Sequence, residues 1–490
     1  MRKKHIRLAM MLAVLAGICA CGHNGPEAPS LPKEEQERRI AVNTFAFNMM
    51  DTYYLWNEEI SDSLATWRLD EEPIEKIRRI RYKDDEGNDI DKWTVITDDI
   101  DAMKNSTEGV STTYGFDFKL YYADESRKRI CIVVTLTYPG SPAEKAGFKR
   151  GDIIMKIDGN NLTPDNYIDL LYDRFLYAPA CRLTDDSGKE FSLTAVEMYE
   201  NPVLARDVFE AGGQKVGYLL FNRFTLNAAS DLIDVCRYFR SEGIDGLILD
   251  MRYNPGGYVL TETLLASLLA PEADVAAGNV FETTVYNKTL ARVWGDEKIC
   301  FSSTVPEGFG GELGGMDISD ANAGISHLYA IMTEDSASAA ESLLVGLMPY
   351  MDVKIFGKQS HGKYCTGFMY DAKQWYSDYH DALNDDQRTL GQKYAGKWGI
   401  YIMAGRYADK YGNTPCMPDG LTPDFEVDDY PVEAYPLGDE RETMLAAVLK
   451  HLGGGSSAPG RAAAKASARR LGAEVPLERD PITYAHILLK

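Results

Sequence analysis

The sequence predicts an α/β multidomain protein, and three stretches with different patterns support that class. Apolar residues recur at helical spacing over 38–60, as expected of an amphipathic helix. From Tyr114 onward short β-branched and aromatic runs indicate strands, whereas from Lys215 strands alternate with amphipathic helices. The run at 246–251 is largely apolar, which is typical of a strand in a parallel sheet covered on both faces.

The composition argues against several classes of partner. The 490 residues include 74 acidic and 52 basic side chains, which gives a net charge of −22. Such a charge argues against nucleic acid and against anionic membrane surfaces as partners. The cysteines beyond Cys21 show no C-x-x-C pair and no histidine at the spacing of a metal site. We therefore expect neither a metal nor another cofactor.

The first residues have the pattern of an export signal. A basic start is followed by an apolar run at 8–18, which is too short to cross a membrane. The run ends in I-C-A-C, which resembles a bacterial lipobox and implies cleavage before Cys21 and lipidation of that cysteine. Residues 1–20 are then a signal peptide and 21–38 a tether, with an ordinary secretory signal as the alternative. We expect an exported lipoprotein in the periplasm or at the outer membrane, or on the cell surface, held to the membrane only by its lipid.

A compact pattern of turns and strands follows over 138–159. It contains S-P-A-x-x-A-G-x-x-x-G-D-x-I, in which proline begins a short helix, one glycine ends it and Gly-Asp turns into a strand. This succession resembles a PDZ domain and implies a domain at 111–198. Its peptide groove would then lie beside four residues: Gly115, Phe116, Asp117 and Phe118. There a peptide adds as a strand and its C-terminal carboxylate meets backbone N–H groups; the alternative is a PDZ fold that only packs on its neighbour.

A serine and a distant lysine form the first candidate for catalysis. Ser338 begins S-A-A-E, the capping-box pattern of a helix start, where backbone N–H groups favour negative charge. Lys363 follows one helix and one strand later, in a glycine-flanked loop. Serine activated by a buried neutral lysine is a known nucleophile and base. The alternative is a serine that only caps its helix and a lysine that lies at the surface.

A glycine pair forms the second candidate. The strand at 246–251 runs into R-Y-N-P-G-G and then into a helix. Glycines at such a turn let backbone N–H groups point into a site, as in an oxyanion hole or an anion nest. A plain tight turn is the alternative.

The order of these parts resembles the tail-specific, or C-terminal-processing, serine peptidase family over about 45–452. The resemblance implies a crotonase- or Clp-protease-like α/β catalytic core at 199–452, behind a small, mainly helical domain at 39–110 and the PDZ domain. Residues 271–326 have no regular pattern and are expected to form an insertion or lid. Residues 453–490 begin with a stretch rich in Gly, Ser, Ala and Arg and are expected to form a flexible tail.

The resemblance also implies roles for single residues. Ser338, rather than Ser336, matches the nucleophile, and Lys363 matches the general base. The backbone N–H groups of Gly256 and Ala339 match the oxyanion hole. The implied activity is that of an endopeptidase that binds protein or peptide substrates by their C-termini and cleaves them through an acyl-enzyme.

One departure from the family pattern concerns the lysine. The family often has a glutamine four residues after it, whereas this chain has Gly367. The residues that could hold Lys363 instead are Asp335, Thr333 and Tyr364. Gly367 also supports an alternative, a catalytically inactive scaffold whose PDZ domain binds peptides. A third hypothesis, a relative that acts on small acyl substrates, is disfavoured by the PDZ pattern.

Overall fold

The computed structural model describes residues 31–433, 435–453, 471–477, 483 and 486–488. The predicted signal peptide and the predicted lipidation site Cys21 lie outside these residues. Within them, no helix combines the length and the apolar character needed to cross a membrane.

The N-terminal region is mainly helical and packs on the α/β region. Its elements are α1 Lys33–Thr52, α2 Ser61–Ala65, α3 Pro73–Ile80, β1 Val95–Thr97 and α4 Ile100–Thr107. Helix α1 buries Val42, Phe45 and Met49, which recur at helical spacing. These side chains belong to one hydrophobic core with Trp375 and Tyr401, which lie far along the chain. The described residues of this region therefore share one hydrophobic core with the α/β region, and the separate domain at 39–110 stays a prediction.

The β-rich region follows. Its elements are β2 Val110–Thr113, β3 Phe116–Tyr122, β4 Ile130–Thr137, α5 Pro142–Ala146, β5 Ile153–Ile157, β6 Asn160–Asn161, α6 Tyr167–Leu171, a π-helical turn Tyr172–Leu176, β7 Ala180–Asp185, β8 Glu190–Thr194 and β9 Val196–Tyr199. Helix α5 begins as the sequence predicts, because Ser141 Oγ accepts from the Glu144 N–H and Pro142 occupies the first turn. It ends at Gly147, where φ is +92°. Strands β3, β4, β5, β7 and β8 form one sheet in that order.

The remaining elements follow in the sequence, and all but β21 (Glu474–Val475), which joins the β-rich sheet, belong to the α/β region. They are β10 Val203–Ala211, β11 Gln214–Phe221, α7 Ala229–Glu242, β12 Gly246–Asp250, β13 Gly257–Tyr258, α8 Val259–Leu269, α9 Glu272–Ala276, β14 Val280–Tyr286, α10 Lys288–Trp294, β15 Glu297–Cys300, β16 His327–Met332, α11 Ala339–Leu347, β17 Asp352–Gly357, β18 Cys365–Asp371, α12 Ala372–Asp378, α13 Asp385–Tyr394, β19 Gly399–Ala408, β20 Phe425–Glu426, α14 Thr443–His451, β21 Glu474–Val475 and β22 His486–Ile487.

Two sheets organise this region. The first has the order β10-β11-β12-β16-β17-β20, and its neighbours β11, β12, β16 and β17 run parallel. Helices α7, α8 and α11 bury one face of it and α14 the other, so the expected double cover of the strand at 246–251 is confirmed. The second sheet has the order β13-β22-β18-β19-β14-β15, with β1 added to β19. The predicted α/β multidomain class is confirmed.

Two sequence expectations are wrong for the described residues. The predicted insertion or lid at 271–326 instead supplies β14 and β15, and β14 pairs with β19 inside the second sheet. The predicted flexible tail at 453–490 supplies β21, which pairs with β3, and β22, which pairs with β13 and β18. Backbone pairing on existing strand edges is what orders these two short stretches.

Candidate active site

The candidate site lies where three neighbouring parallel strands end. The loops after β12, β16 and β17 leave the same edge of the first sheet, the edge at which open α/β sheets bind their ligands. Hydrogen bonds join the loops: Ala337 N donates to Asn254 O at 3.0 Å, and His361 N donates to Ser336 O at 3.0 Å. The fold therefore gathers the serine loop, the glycine turn and the lysine loop.

The two serines of the serine loop differ in their surroundings. Ser336 Oγ donates to Met251 O at 2.8 Å and accepts from Thr333 N at 2.9 Å, so its hydroxyl ties two loops together. Ser338 stands immediately before α11, is fully buried and has φ of +62°. A residue other than glycine is strained in that region and needs its surroundings to hold it. The strain marks Ser338, and not Ser336, as the specially placed serine.

Glu341 connects the serine to the lysine. Its Oε2 accepts from Ser338 N at 2.8 Å and from Lys363 N at 3.0 Å. Its Oε1 accepts from Gly362 N at 2.7 Å and from the Ser360 hydroxyl. One buried carboxylate thus holds the backbone of both candidate catalytic residues. Burial raises the pKa of Glu341 to about 7, although these hydrogen bonds act to lower it.

The Lys363 side chain lies in a buried aromatic pocket. Lys363 has no exposed surface, and its Nζ donates to Tyr401 Oη at 2.8 Å. The same atom lies 4.9 Å from the ring centre of Tyr401 and 5.7 Å from that of Trp93. Burial lowers the pKa of Lys363 to about 7, because it disfavours the charged ammonium. Near neutral pH a substantial fraction of this amine is therefore uncharged and able to accept a proton.

The backbone N–H groups of the two predicted oxyanion donors differ in their hydrogen bonding. Ala339 is the first residue of α11, and the first N–H groups of a helix have no acceptor within it. Gly256 N instead donates to Asn254 Oδ1 at 2.9 Å. Its N–H can reach an oxyanion only when this hydrogen bond opens, whereas the sequence predicts an N–H that points into the site. At Gly257 a Cβ would lie 2.2 Å from Phe224 O, so the turn has no room for a side chain.

Gly367 has a steric explanation. It lies in β18, and a Cβ at this position would lie 2.4 Å from Ile402 O. The glutamine common in the family cannot be built there without moving the neighbouring strand. Tyr401 Oη accepts a hydrogen bond from Lys363 Nζ, and Tyr401 is not one of the three residues that the sequence suggested.

Those three residues make other contacts. The Thr333 hydroxyl donates to Arg252 O. The Asp335 carboxylate lies 3.0 Å from Lys119 Nζ. The Tyr364 ring packs edge-on against Trp93, with ring centres 6.1 Å apart.

The residues predicted for the peptide groove lie at the start of β3. Gly115 N donates to Thr113 Oγ1 at 3.0 Å, and Phe116 is buried in the core of the β-rich region, where Phe118 packs against it. The Asp117 carboxylate accepts from Tyr138 Oη at 3.0 Å and from Asn222 Nδ2 at 3.2 Å. Asp117 thus ties β3 to the α/β region. The prediction that these residues bind peptide stays a prediction.

The sequence did not indicate the full role of Glu341, and it did not indicate Tyr401 at all. Glu341 is part of the S-A-A-E pattern, but that pattern indicates only its capping bond to Ser338 N. Tyr401 is 38 positions from Lys363 and lies on a different strand, so no local pattern connects them. Among the described residues, no group of three or more His, Cys, Asp or Glu is arranged to hold a metal ion.

Comparisons with known proteins agree with these regions. The family model for peptidase family S41 matches residues 215–427, and a PDZ domain model matches 133–174. A protein named CtpA-like serine protease from Staphylococcus aureus (strain N315) is 28% identical over 264 residues, which are 54% of this chain and 47% of that protein. A carboxyl-terminal-processing protease from Picosynechococcus sp. is 27% identical over 237 residues, which are 47% of this chain and 50% of that protein. The chain thus spans about half the length of these relatives.

A solved structure agrees with the fold. A crystal structure named as an S41 protease from Bacteroides fragilis NCTC 9343 superposes with a TM-score of 0.62 at 21% identity, over 88% of this chain and 99% of that one. The expected PDZ domain and peptidase core are confirmed. Residues 215–427 of the chain therefore match peptidase family S41, and a PDZ domain match precedes them at 133–174.

Proposed function

We propose that this protein is a serine endopeptidase in which Ser338 is the nucleophile and Lys363 the general base. The observation that carries the proposal is the fully buried Lys363 amine, whose pKa is lowered to about 7. A lysine with an ordinary pKa is protonated at neutral pH and cannot accept the serine proton. The backbone of the same lysine shares Glu341 Oε2 with the backbone of Ser338, which supports a common site.

The reaction then has two halves. Lys363 Nζ accepts the Ser338 hydroxyl proton while Oγ bonds to the carbonyl carbon of the scissile peptide. The tetrahedral oxyanion is stabilised by the Ala339 N–H, and by the Gly256 N–H once its bond to Asn254 opens. The ammonium returns its proton to the leaving amine as the C–N bond breaks. A water molecule, deprotonated by the same amine, then attacks the ester carbon. The C–Oγ bond breaks, the ammonium returns the proton to Ser338 Oγ, and the acid product leaves.

Protein C-terminal tails are the proposed substrates. PDZ domains bind extended peptides as an added strand and capture the terminal carboxylate, and one relative is named a carboxyl-terminal-processing protease. Peptides with free and with amidated C-termini test this point. The free form should bind more tightly, and equal affinity for both would contradict carboxylate capture.

The proposed setting is the exported side of a bacterial membrane. The basic and apolar start of the chain and the lipobox-like I-C-A-C support cleavage before Cys21 and attachment through its lipid. Replacement of Cys21 by Ala should release the protein from the membrane fraction. If Cys21→Ala remains there as wild type does, the anchor is elsewhere.

A fluorophosphonate probe tests the proposed catalysis, because the oxygen of an activated serine displaces its fluoride and becomes phosphonylated. We expect the wild type and Ser336→Ala to be labelled and Ser338→Ala not to be. Ser336 is the matched control, because it lies two residues away and its hydroxyl is bonded on both sides. Equal labelling of wild type and Ser338→Ala would reject the nucleophile, and an unlabelled wild type would favour an inactive peptide-binding scaffold.

A further inference from the structure

The PDZ sheet carries an additional strand that comes from the end of the sequence. Strand β21 (Glu474–Val475), which we call the trailing strand, runs antiparallel to β3, with Glu474 opposite Tyr121 and Val475 opposite Leu120. Just before it, Gly472 N donates to Tyr122 O at 2.8 Å and Tyr122 N donates to Ala473 O at 3.0 Å. The free edge of β3 is thus taken by a segment of the same chain.

The side chains of this segment make both apolar and charged contacts. Val475 is 6% exposed and belongs to the PDZ core with Leu120, and Leu477 packs against the same core. The Glu474 carboxylate lies 3.4 Å from Lys119 Nζ on β3. An acidic residue followed by an aliphatic one therefore matches the chemistry of this edge.

The trailing strand resembles a bound ligand more than a structural part of the PDZ domain. Strands β3, β4, β5, β7 and β8 form a continuous sheet without the trailing strand, which adds only two paired residues at its edge. The entire α/β region separates β9 from the trailing strand in the sequence. Addition of an extended peptide to an exposed edge is the binding mode of PDZ domains. Two peptides cannot pair with one edge, so an external peptide must displace this segment.

We propose that residues 471–477 are an intramolecular ligand of the PDZ edge, and that this edge selects peptides with an acidic residue beside Lys119 followed by an aliphatic residue in the position of Val475. This inference rests on the proposed function and specifies the class of peptide that the PDZ domain takes. The specificity-determining residue is Lys119, and the resting protein holds its own sequence Leu-Gly-Ala-Glu-Val-Pro-Leu at the edge.

The contacts of Lys119 connect the edge to the candidate site. Besides Glu474, Lys119 Nζ lies 2.9 Å from Glu334 and 3.0 Å from Asp335, which belong to the loop that leads into Ser338. Farther along the chain, outside residues 471–477, β22 pairs with β13 beside the glycine turn, and Leu488 N donates to Gly367 O at 3.0 Å. A peptide at the PDZ edge therefore competes for Lys119 with a segment that lies next to the loop before Ser338.

Competition for the edge is measured with the full chain and the labelled peptide Leu-Gly-Ala-Glu-Val-Pro-Leu, by fluorescence anisotropy. All variants carry Ser338→Ala so that the peptide is not consumed. Val475→Asp should weaken the internal ligand and tighten peptide binding at least about tenfold, because an attached ligand competes at an effective concentration near millimolar. Val475→Ala should give a smaller change in the same direction. Val293→Asp, at a helix position 41% exposed, is the matched control and should leave the Kd unchanged.

Charge selection is measured in the Val475→Asp background with a second peptide in which Glu is replaced by Lys. The acidic peptide should bind about fivefold more tightly, and Lys119→Met should remove that preference while the acidic peptide still binds. Unchanged Kd in both Val475 variants would overturn the internal ligand, and equal affinity of the two peptides would overturn the role of Lys119. Neither binding result depends on hydrolysis. If the protein with Ser338 intact is not labelled by the fluorophosphonate but the peptides still bind as expected, only the peptidase proposal is rejected.

Discussion

Two buried lysines of this protein have opposite acid–base behaviour. Lys363 has no exposed surface, and its pKa falls to about 7. Lys119 is only 7% exposed, yet its pKa is raised, because the carboxylates of Asp335, Glu334 and Glu474 outweigh the effect of burial. Burial alone therefore does not make a lysine a base.

The difference lies in what surrounds each ammonium. Lys363 Nζ meets the Tyr401 hydroxyl and two aromatic rings, while the nearby Glu341 carboxylate bonds its backbone N–H. Lys119 Nζ has three carboxylates within 3.4 Å. The first environment favours a neutral amine that can take a proton, and the second favours a permanent cation that joins two domains.

The largest expected effect is on Lys363 itself. Lys363→Ala should lower peptide hydrolysis by about 10³-fold or more, since the proposed mechanism then lacks the base that takes the serine proton. Lys373→Ala, at an exposed position of α12, is the control and should keep full activity. Steady-state hydrolysis by folded variants measures the effect, and an active Lys363→Ala would remove the lysine from the mechanism.

Tyr401→Phe should have the next largest effect. Loss of the hydroxyl that accepts from Nζ should lower kcat about tenfold and move the pH midpoint of activity downward, because the ammonium loses an acceptor. Tyr407→Phe is the matched control, because the Tyr407 hydroxyl donates to the backbone carbonyl of Lys363 at 2.6 Å rather than bonding the Lys363 amine. If both variants shift the midpoint equally, Tyr401 has no special role at the amine.

Gly367→Gln, which restores the residue common in the family, should damage the fold without raising activity. Its Cβ meets Ile402 O, so we expect a loss of about 1–3 kcal/mol in the free energy of unfolding. Urea unfolding measures this loss. Gly396→Gln is the control, because no atom lies within 4 Å of a Cβ there. A stable and faster Gly367→Gln enzyme would show that the missing glutamine limits the reaction.

The smallest expected effect is on Lys119. Lys119→Met should change hydrolysis only about two- to fivefold, because Lys119 acts on the loop before Ser338 and not on the reacting atoms. Lys83→Met, which removes a surface ion pair with Asp89, should cause no change. A loss as large as that of Lys363→Ala would mean that the two lysines are not distinct in function.

Local patterns predicted the parts of the fold that depend on local chemistry. The short helix after Ser141 begins and ends where Pro142 and Gly147 predict. The S-A-A-E pattern predicted the helix after Ser338 and the bond between Glu341 and the Ser338 N–H. In these cases the residues that make the contact are three or four positions apart, so spacing is sufficient.

Long-range pairing could not be predicted in this way. Strand β14 contains Glu282, which is buried and accepts from the Ser342 hydroxyl. Because buried carboxylates are uncommon, the hydropathy of this stretch does not indicate a buried strand. The trailing strand is only two residues long, and its pairing depends on an edge of β3 that lies more than 300 residues away. The contact between Tyr401 and Lys363 also depends on long-range pairing, because Tyr401 reaches the lysine only when β19 pairs with β18.

Under the proposed mechanism Lys363 is neutral when Ser338 reacts, and the pH dependence of Ser338 phosphonylation by the fluorophosphonate probe tests this most directly. The rate of fluorophosphonate labelling should rise with pH through a midpoint near 7, because below it the amine is protonated. Glu341 titrates in the same range, so the downward shift in Tyr401→Phe is what assigns the midpoint to Lys363. A labelling rate that does not change between about pH 5 and 9, or that rises only near the ordinary lysine pKa of about 10.4, would contradict the role of Lys363 as a neutral base.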